Sequence, residues 1–261
     1  MKIGIIGAGN MGKAYYKALS QQFGAEQIYM CDRNEDKLAE FDRSAKTFHT
    51  DKLGAFIDAI DVLMIAVKPQ NFQELSQEIL KYNIEGISFI SIMAGISVDN
   101  LKKNLKTDKI ARAMPNLAIA YKKGVTGWVG TEEIDKSIIN EILSVTGTAL
   151  LLSEESLIDS IAAVSGSGPA YFFFLAEMLA EGAKELGFSA DQAEILSKET
   201  FIGAATMVEK REESLTELRQ AVTSKGGTTA AALNYLSENK FQEIFTQALK
   251  ETIKRAKELN S

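Results

Sequence analysis

Short apolar runs alternate with amphipathic stretches over roughly the first 150 residues of the chain. This alternation predicts a parallel β-sheet whose strands are connected by helices. One connecting helix is predicted over residues 131–145. The predicted strands are 2–6, 27–31, 61–66, 88–92, 109–113, 125–129 and 149–152.

After Ser153 the pattern changes, because the sequence becomes rich in Ala, Leu, Glu and Lys with helical periodicity and contains no convincing strand. A domain boundary is therefore predicted near residue 155. The expected fold class is α/β, with a parallel-sheet domain over residues 1–155 and an all-helical domain over residues 156–261.

The helix predicted over residues 170–186 has large apolar side chains on more than one face, seven of them within the nine positions 171–179. It is either the central helix of its own domain or part of a subunit interface. A small all-helical domain often completes its core through a partner, so we favour a homodimer formed by the C-terminal helices.

A formal net charge of -6 and the lack of any Lys/Arg run argue against nucleic acid as a partner. No apolar stretch approaches the roughly 20 residues of a membrane helix, and the N-terminal sequence does not have the pattern of a signal peptide. A single cysteine, Cys31, fits a reducing compartment. A cytoplasmic protein without a membrane partner is expected.

The chain has one histidine, His49. This argues against Ser-His hydrolases, against 2-hydroxy-acid dehydrogenases that use a catalytic imidazole, and against most zinc sites. No metal site is predicted.

A glycine-rich segment directly follows the first predicted strand and opens a helix, matching G-x-G-x-x-G. In a dinucleotide site these glycines allow a tight turn, close approach of the pyrophosphate, and close packing of helix on strand. An acidic residue 20 positions later, after the second strand, completes the pattern, since it can accept from ribose hydroxyls. The alternative is a glycine turn of another α/β protein. The residues are Gly7, Ala8, Gly9, Asn10, Met11, Gly12 and Asp32.

Two neighbouring residues favour different cofactors, because Asp32 would repel a ribose 2′-phosphate whereas Arg33 would pair with it. The choice between NADH and NADPH stays open at this point. Ligands of parallel sheets bind at the carboxyl ends of strands, which adds two segments to the predicted cofactor site. These are Ala66, Val67, Lys68 and Pro69 after the third predicted strand, and Ala94 and Gly95 after the fourth.

Near the C-terminus, the segment Val222-Thr223-Ser224-Lys225-Gly226-Gly227-Thr228-Thr229 precedes an alanine-rich helical stretch. Two glycines and two threonines at a helix start predict a cap with several N–H groups and hydroxyls pointing outward. Such a cap can hold a carboxylate. The alternative is a helix start without a ligand.

The order of motifs along the chain resembles the pyrroline-5-carboxylate reductase family over nearly its whole length. The motifs are the glycine-rich segment 7–12, Ala66-Val67-Lys68-Pro69, Met114-Pro115-Asn116, Ser165-Gly166-Ser167-Gly168-Pro169-Ala170-Tyr171 and the segment 224–229. The resemblance implies a Rossmann-type N-terminal domain and a helical domain that interlocks with another subunit. It leaves open whether dimers assemble into larger rings.

The resemblance also implies the activity and its residues: hydride transfer from NADPH or NADH to the cyclic imine 1-pyrroline-5-carboxylate, giving L-proline in the last step of proline biosynthesis. It assigns catalysis to Thr229, placed to hydrogen-bond the ring nitrogen, and to Ser224. The implied substrate-binding residues are Glu155, Val222, Thr223, Gly226, Gly227, Thr228 and Thr229.

The chain departs from the family pattern at Lys225, which replaces the usual proline of the signature, and at Leu117-Ala118, where Thr-Pro is common. Two other functions remain as alternatives. A 3-hydroxy-acid dehydrogenase would need a Lys-x-x-x-Asn pair, but Lys198 is followed four residues later by Ile202. A non-catalytic dinucleotide-sensing regulator would not need the glycine-threonine cap.

Overall fold

A computed structural model describes residues 1–41 and 45–260. The chain forms two compact units. The first comprises Met1–Gly166 together with the C-terminal segment that begins at Ile253, and the second comprises Ser167–Thr252. The domain boundary near residue 155 stays a prediction.

The first unit contains an eight-stranded sheet among the described residues, in the order β3-β2-β1-β4-β5-β6-β7-β8. All neighbouring strands are parallel except β6 and β7, which are antiparallel. The strands are β1 (Ile3–Ile6), β2 (Ile28–Asp32), β3 (Lys46–His49), β4 (Val62–Ile65), β5 (Ser88–Ser91), β6 (Ile110–Pro115), β7 (Gly124–Gly130) and β8 (Gly147–Leu151).

Each of the seven predicted strands corresponds to an observed one, but β3 was not predicted. The reason is that β3 is an edge strand with the sequence KTFH, which is largely polar and not fully buried. The predicted parallel sheet also contains one antiparallel pair, because the short connection between β6 and β7 reverses the chain direction.

Helices cover both faces of the sheet. Successive residues of one strand point to opposite faces, so Ile5 lies in one apolar cluster and Ile6 in another. The helices of the first unit are α1 (Asn10–Phe23), α2 (Glu35–Ala39), α3 (Leu53–Ile57), α4 (Phe72–Ile79), α5 (Val98–Leu105), α6 (Lys136–Ser144) and α7 (Leu157–Ile161), followed by a π-helical turn at Ala162–Gly166. Helix α6 begins later than predicted because Asp135 caps it, accepting from the N–H groups of Ser137 and Ile138.

The second unit is wholly helical, as predicted. It contains α8 (Gly168–Glu185), α9 (Ala190–Lys210), α10 (Leu215–Ala221), α11 (Thr228–Glu238) and the start of α12 (Phe241–Asn260). Helix α9 begins with a capping box formed by Ser189 and Gln192. The Ser197 hydroxyl of α9 donates to the carbonyl of Ala176 in α8, at 2.5 Å.

This unit has little apolar interior of its own. Within residues 167–252, Leu218 is the one large apolar side chain that is buried, with 8% of its surface exposed. Phe172, Phe173 and Phe174 on α8 are 57%, 59% and 60% exposed. Exposed apolar patches of this kind mark association surfaces, in agreement with the expectation that a partner covers α8. The remaining exposed apolar residues on the long helices include Leu175, Met178, Leu179, Ile195, Leu196, Ile202 and Val208.

Candidate functional site

The glycine-rich segment forms the turn between β1 and α1. Gly7 has a positive φ of 112°, and a Cβ there would lie 2.6 Å from the carbonyl oxygen of Ala66. A Cβ on Gly12 would overlap the carbonyl oxygen of Gly7. Only glycine fits at both positions, because one makes the turn beside β4 and the other lets α1 approach β1 closely.

Gly9 differs from these two glycines because a Cβ there would meet no atom within 4 Å. It is the N-cap of α1 and provides no side-chain hydrogen bond. The first N–H groups of α1, from Asn10, Met11 and Gly12, therefore have no side-chain cap. A helix start of this kind suits a pyrophosphate, so the loop fits a dinucleotide.

Asp32, at the end of β2, is 8% exposed. One of its carboxylate oxygens accepts from the N–H of Ala8 at 2.6 Å, and the other accepts from the N–H of Asn34 at 2.9 Å. This carboxylate therefore ties the glycine-rich turn to the loop after β2. Asp32 was predicted beside the cofactor, but its hydrogen bonds with the N–H groups of Ala8 and Asn34 could not be predicted from the sequence.

Beside Asp32 lie Arg33, whose side chain is exposed, and His49 at the end of β3. The His49 ring contacts the carbonyl oxygen of Arg33 and the carboxylate of Asp51. Sequence reasoning did not place His49 near the cofactor site, because β3 itself was not predicted.

The two other predicted cofactor segments follow β4 and β5, which are neighbours of β1 on the same carboxyl edge. The N–H of Ala66 donates to the carbonyl of Ile6, and Pro69 begins a 3-10 turn after Val67 and Lys68. Gly95 has a φ of 75°, next to the exposed Ala94. The structure thus brings the three predicted cofactor segments to one edge of the sheet.

Cys31, adjacent to Asp32, points into the core. Burial, together with the negative charges of Asp32 and Asp51, raises the pKa of the Cys31 thiol to about 12. The thiol therefore stays protonated at neutral pH and supplies no nucleophile.

Glu155 lies in a partly buried polar network. Its Oε1 accepts from Nη1 of Arg112 at 2.6 Å and from the N–H of Val98, at the start of α5, at 2.8 Å. Arg112 is 6% exposed and also lies 3.6 Å from Asp159. Glu155 thus connects β6, α5 and the segment before α7, and its role at the substrate stays a prediction.

Asn116 connects two of the sequence motifs. Its Nδ2 donates to the carbonyl and the hydroxyl oxygen of Ser165, at 3.2 and 3.0 Å, and its Oδ1 accepts from the N–H of Val125 at 3.3 Å. Ser165 lies in the π-helical turn, a conformation that is frequent at functional sites.

In the second unit, the predicted glycine-threonine cap is present. Gly227 is the N-cap of α11 and provides no side-chain hydrogen bond, so the N–H groups of Thr228, Thr229 and Ala230 have no side-chain cap. Thr228 is exposed and Thr229 is half-buried.

The residues before this cap form a tight turn. Gly226 has a φ of 72°, and the N–H of Gly227 donates to the carbonyl of Ser224 at 3.0 Å. A Cβ on Gly227 would collide with the Ser224 hydroxyl. Thr223 donates its hydroxyl to the carbonyl of Arg219 at 2.6 Å, while Val222 is exposed. All the predicted substrate residues except Glu155 therefore lie in one segment.

Comparison with known proteins gives matches over the whole chain. Residues 155–259 match the family described as pyrroline-5-carboxylate reductase dimerisation, and residues 2–95 match the family described as NADP oxidoreductase, coenzyme F420-dependent. A pyrroline-5-carboxylate reductase of Aquifex aeolicus is 36% identical over 263 residues, which cover 99% of this chain and 97% of that relative. The chain belongs to the pyrroline-5-carboxylate reductase family.

Solved structures agree with this. A pyrroline-5-carboxylate reductase from Coxiella burnetii has a TM-score of 0.93 at 34% identity, over 100% of this chain and 98% of that chain. A pyrroline carboxylate reductase from Plasmodium falciparum, solved with NADP bound, shares the fold, with a TM-score of 0.81 at 22% identity and coverage of 100% and 98%.

Membership of the pyrroline-5-carboxylate reductase family confirms the predicted fold class and the prediction of an NAD(P)-dependent oxidoreductase, and it is evidence against both alternative functions. The match to the dimerisation family supports a homodimer. Across residues 1–41 and 45–260, no helix is both long and apolar enough to cross a bilayer. The same residues contain no group of three or more His, Cys, Asp or Glu side chains that could hold a metal ion.

Proposed function

We propose that this chain reduces 1-pyrroline-5-carboxylate to L-proline with NADPH or NADH, the last step of proline biosynthesis. The observation that carries this proposal is the uncapped start of α11. Gly227 provides no side-chain cap there, and two threonine hydroxyls stand in the first turn. A carboxylate is the natural occupant, because free N–H groups and the helix dipole both favour negative charge.

At this helix start, the N–H groups and hydroxyls of Thr228 and Thr229 hold the substrate carboxylate. The turn at Ser224, Gly226 and Gly227 sets the position of those donors, since Gly227 has no room for a side chain beside the Ser224 hydroxyl. Val222 and Thr223 complete the wall of the same pocket.

The glycine-rich turn of the first unit holds the dinucleotide. The first N–H groups of α1 would hold its pyrophosphate, and Gly9 would leave it room. The segments after β4 and β5, namely Ala66, Val67, Lys68, Pro69, Ala94 and Gly95, line the same edge of the sheet. When bound, the cofactor supplies the hydride.

Reduction of this imine does not require a strong acid or base from the protein. A proton on the ring nitrogen makes the imine carbon electrophilic. Addition of a hydride at that carbon then gives the secondary amine of proline. The Thr229 hydroxyl hydrogen-bonds the ring nitrogen, and the remaining contribution is alignment, which is worth roughly 7–11 kcal/mol in well-oriented cases.

The proposal extends to assembly and location. The exposed apolar side chains of α8 join two copies in a homodimer, the domains divide near residue 155, and the protein works in the cytoplasm. The homodimer is supported by the exposure of Phe172, Phe173 and Phe174 and by the match of residues 155–259 to the dimerisation family.

The test is Thr229→Val, assayed by oxidation of NADPH and of NADH in the presence of pyrroline-5-carboxylate. We expect kcat/KM to fall at least about tenfold, because a hydrogen bond at the reacting ring is lost, while the Kd of the nucleotide stays unchanged. Thr216→Val is the matched control. Thr216 also occupies the second position of a helix, but the start of that helix is closed by the capping box of Ser214 and Glu217. Full activity in Thr229→Val would remove this residue from the mechanism, and a wild-type chain without activity would refute the function.

A further inference from the structure

The loop after β5, residues 92–97, lies at the same edge of the sheet as the glycine-rich turn and leads into α5. The strand order β2-β1-β4-β5 places this loop on the opposite side of β1 from Asp32. In the proposed cofactor site, the ribose of the adenosine half lies beside Asp32 and the pyrophosphate at the start of α1. The nicotinamide half would therefore extend toward the loop after β5.

Few hydrogen bonds hold the middle of this loop in place. Near its start, the N–H of Met93 donates to the hydroxyl oxygen of Ser91 at 3.3 Å. Ala94, Gly95 and Ile96 make no hydrogen bond with any residue in the described part of the chain. The position of the loop consequently depends on its two ends, which are β5 and the first turn of α5.

The second of these ends is held by Glu155. Its Oε1 accepts from the N–H of Val98 at 2.8 Å, and the same oxygen accepts from Nη1 of Arg112 at 2.6 Å. Val98 is the first residue of α5, so its N–H has no acceptor within the helix. Since Arg112 is buried in β6, its guanidinium fixes the Glu155 carboxylate against the sheet. A side chain 57 positions further along the chain thus holds the start of α5.

These contacts separate two possible roles of Glu155. An acid that contacts the substrate acts through its charge, whereas an acid that holds a loop acts through an acceptor oxygen. Both hydrogen bonds that the structure gives to Glu155 engage Oε1, and one of them ends on the backbone directly after the loop. The observed contacts therefore favour the second role.

We propose that Glu155 is a positioning residue for hydride transfer. It holds the loop after β5 through the N–H of Val98, and the loop in turn sets the position of the nicotinamide. The ion pair with Arg112 keeps the Glu155 carboxylate in place. This inference rests on the proposed function for its reaction, and it gives Glu155 an indirect role in place of the expected contact with the substrate.

Val98→Pro removes the proposed hydrogen bond and leaves the carboxylate of Glu155 in place. Proline has no N–H, and the first position of a helix accepts it readily. The preceding residue, Ser97, already has the extended backbone that a residue before proline prefers, with a φ of -73° and a ψ of 161°. Its hydroxyl oxygen can still cap α5 by accepting from the N–H of Asn100. The variant therefore deletes one hydrogen bond with little other change at the helix start.

Ala190→Pro is the matched control. Ala190 is the first residue of α9, and it follows a capping serine with a φ of -64° and a ψ of 160°. Its N–H makes no hydrogen bond with another described residue. An effect of proline on a helix start would appear in both variants, whereas loss of the bond to Glu155 appears in Val98→Pro alone.

Turnover and nucleotide binding are both measured on the full chain. In Val98→Pro and in Glu155→Ala, we expect kcat to fall at least about tenfold through misalignment, while KM for pyrroline-5-carboxylate stays within about twofold. The Kd of NADPH, measured by calorimetry, should rise about fivefold, as for the loss of one hydrogen bond. The Kd of 5′-AMP should stay unchanged, because this fragment has no nicotinamide half. Glu155→Gln keeps an acceptor oxygen for the Val98 N–H and should retain most of the kcat that Glu155→Ala loses.

An unchanged kcat in Val98→Pro would overturn the inference, and so would an equal loss in Ala190→Pro. Equal loss of kcat in Glu155→Gln and Glu155→Ala would also overturn it, because the charge of Glu155 would then be what matters. That comparison covers the case that Val98→Pro fails to fold. The proposed function fails separately. A wild-type chain that does not reduce pyrroline-5-carboxylate would contradict the function, while the binding of NADPH and of 5′-AMP to the variants would still test the role of Glu155.

Discussion

Replacing Gly12 with alanine places a methyl group where the carbonyl oxygen of Gly7 lies, and 3.1 Å from its carbonyl carbon. Both neighbours are backbone atoms of the turn after β1, so α1 must move away from the sheet. Overpacking of this kind costs about 3 kcal/mol at the upper end of its usual range. Alanine recovers about 1 kcal/mol through its better helix propensity. We therefore expect the free energy of unfolding to fall by about 2 kcal/mol.

Gly9→Ala is the matched comparison, because a Cβ at that position meets nothing within 4 Å and the backbone has a φ of -81°, which any residue adopts. Its cost in stability should stay below about 1 kcal/mol, the difference between glycine and alanine at an N-cap. The new methyl group occupies the open space before α1, so the nucleotide should bind about tenfold more weakly.

Trp128 makes the stability measurement straightforward. It is the single tryptophan of the chain and lies fully buried in β7, so its fluorescence during urea unfolding reports on the first unit. Nucleotide affinity is measured separately by calorimetry. An unfolding midpoint of Gly12→Ala equal to that of the wild type would refute the packing argument. Unchanged nucleotide affinity in Gly9→Ala would refute the assignment of the pyrophosphate to this helix start.

Two further predictions concern the polar network and the assembly. Glu155→Gln should lower the free energy of unfolding by about 2 kcal/mol, because it leaves the buried Arg112 guanidinium without its nearest anion, while Glu154→Gln on the exposed neighbour should change little. Trp128 fluorescence during urea unfolding compares the two. Phe173→Ser should shift the mass measured by light scattering from dimer toward monomer. Tyr121→Ser removes a more exposed aromatic ring of the first unit and should leave that mass unchanged. A Phe173→Ser dimer of wild-type affinity would remove that side chain from the interface.

The order of strands and helices could be predicted because the buried strands carry continuous β-branched and apolar runs, such as Ile3–Ile6 and Val62–Ile65. The glycine-rich turn could be predicted for a similar reason, since its steric demands fall on single residues of a short motif. Edge strand β3 could not, because an edge position permits a polar sequence.

The contacts that define the candidate sites were harder to predict, because they join distant parts of the chain. The bond from Ala8 to Asp32 spans 24 residues, and that from Arg112 to Glu155 spans 43. The first shows that a carboxylate expected at the ribose is engaged by backbone. The second shows that the acid predicted at the substrate is paired with a buried guanidinium. Neither follows from residue type or spacing alone.

The sparse interior of the helical unit bears on how the protein is made and how it behaves on dilution. Since Leu218 is the one large apolar residue buried within residues 167–252, these helices depend on a second molecule to remove their phenylalanines from water. Folding of this half is then a bimolecular event whose yield rises with the amount of chain in the cell. A mutation that weakens association at α8 would consequently lower the amount of folded protein in the cell.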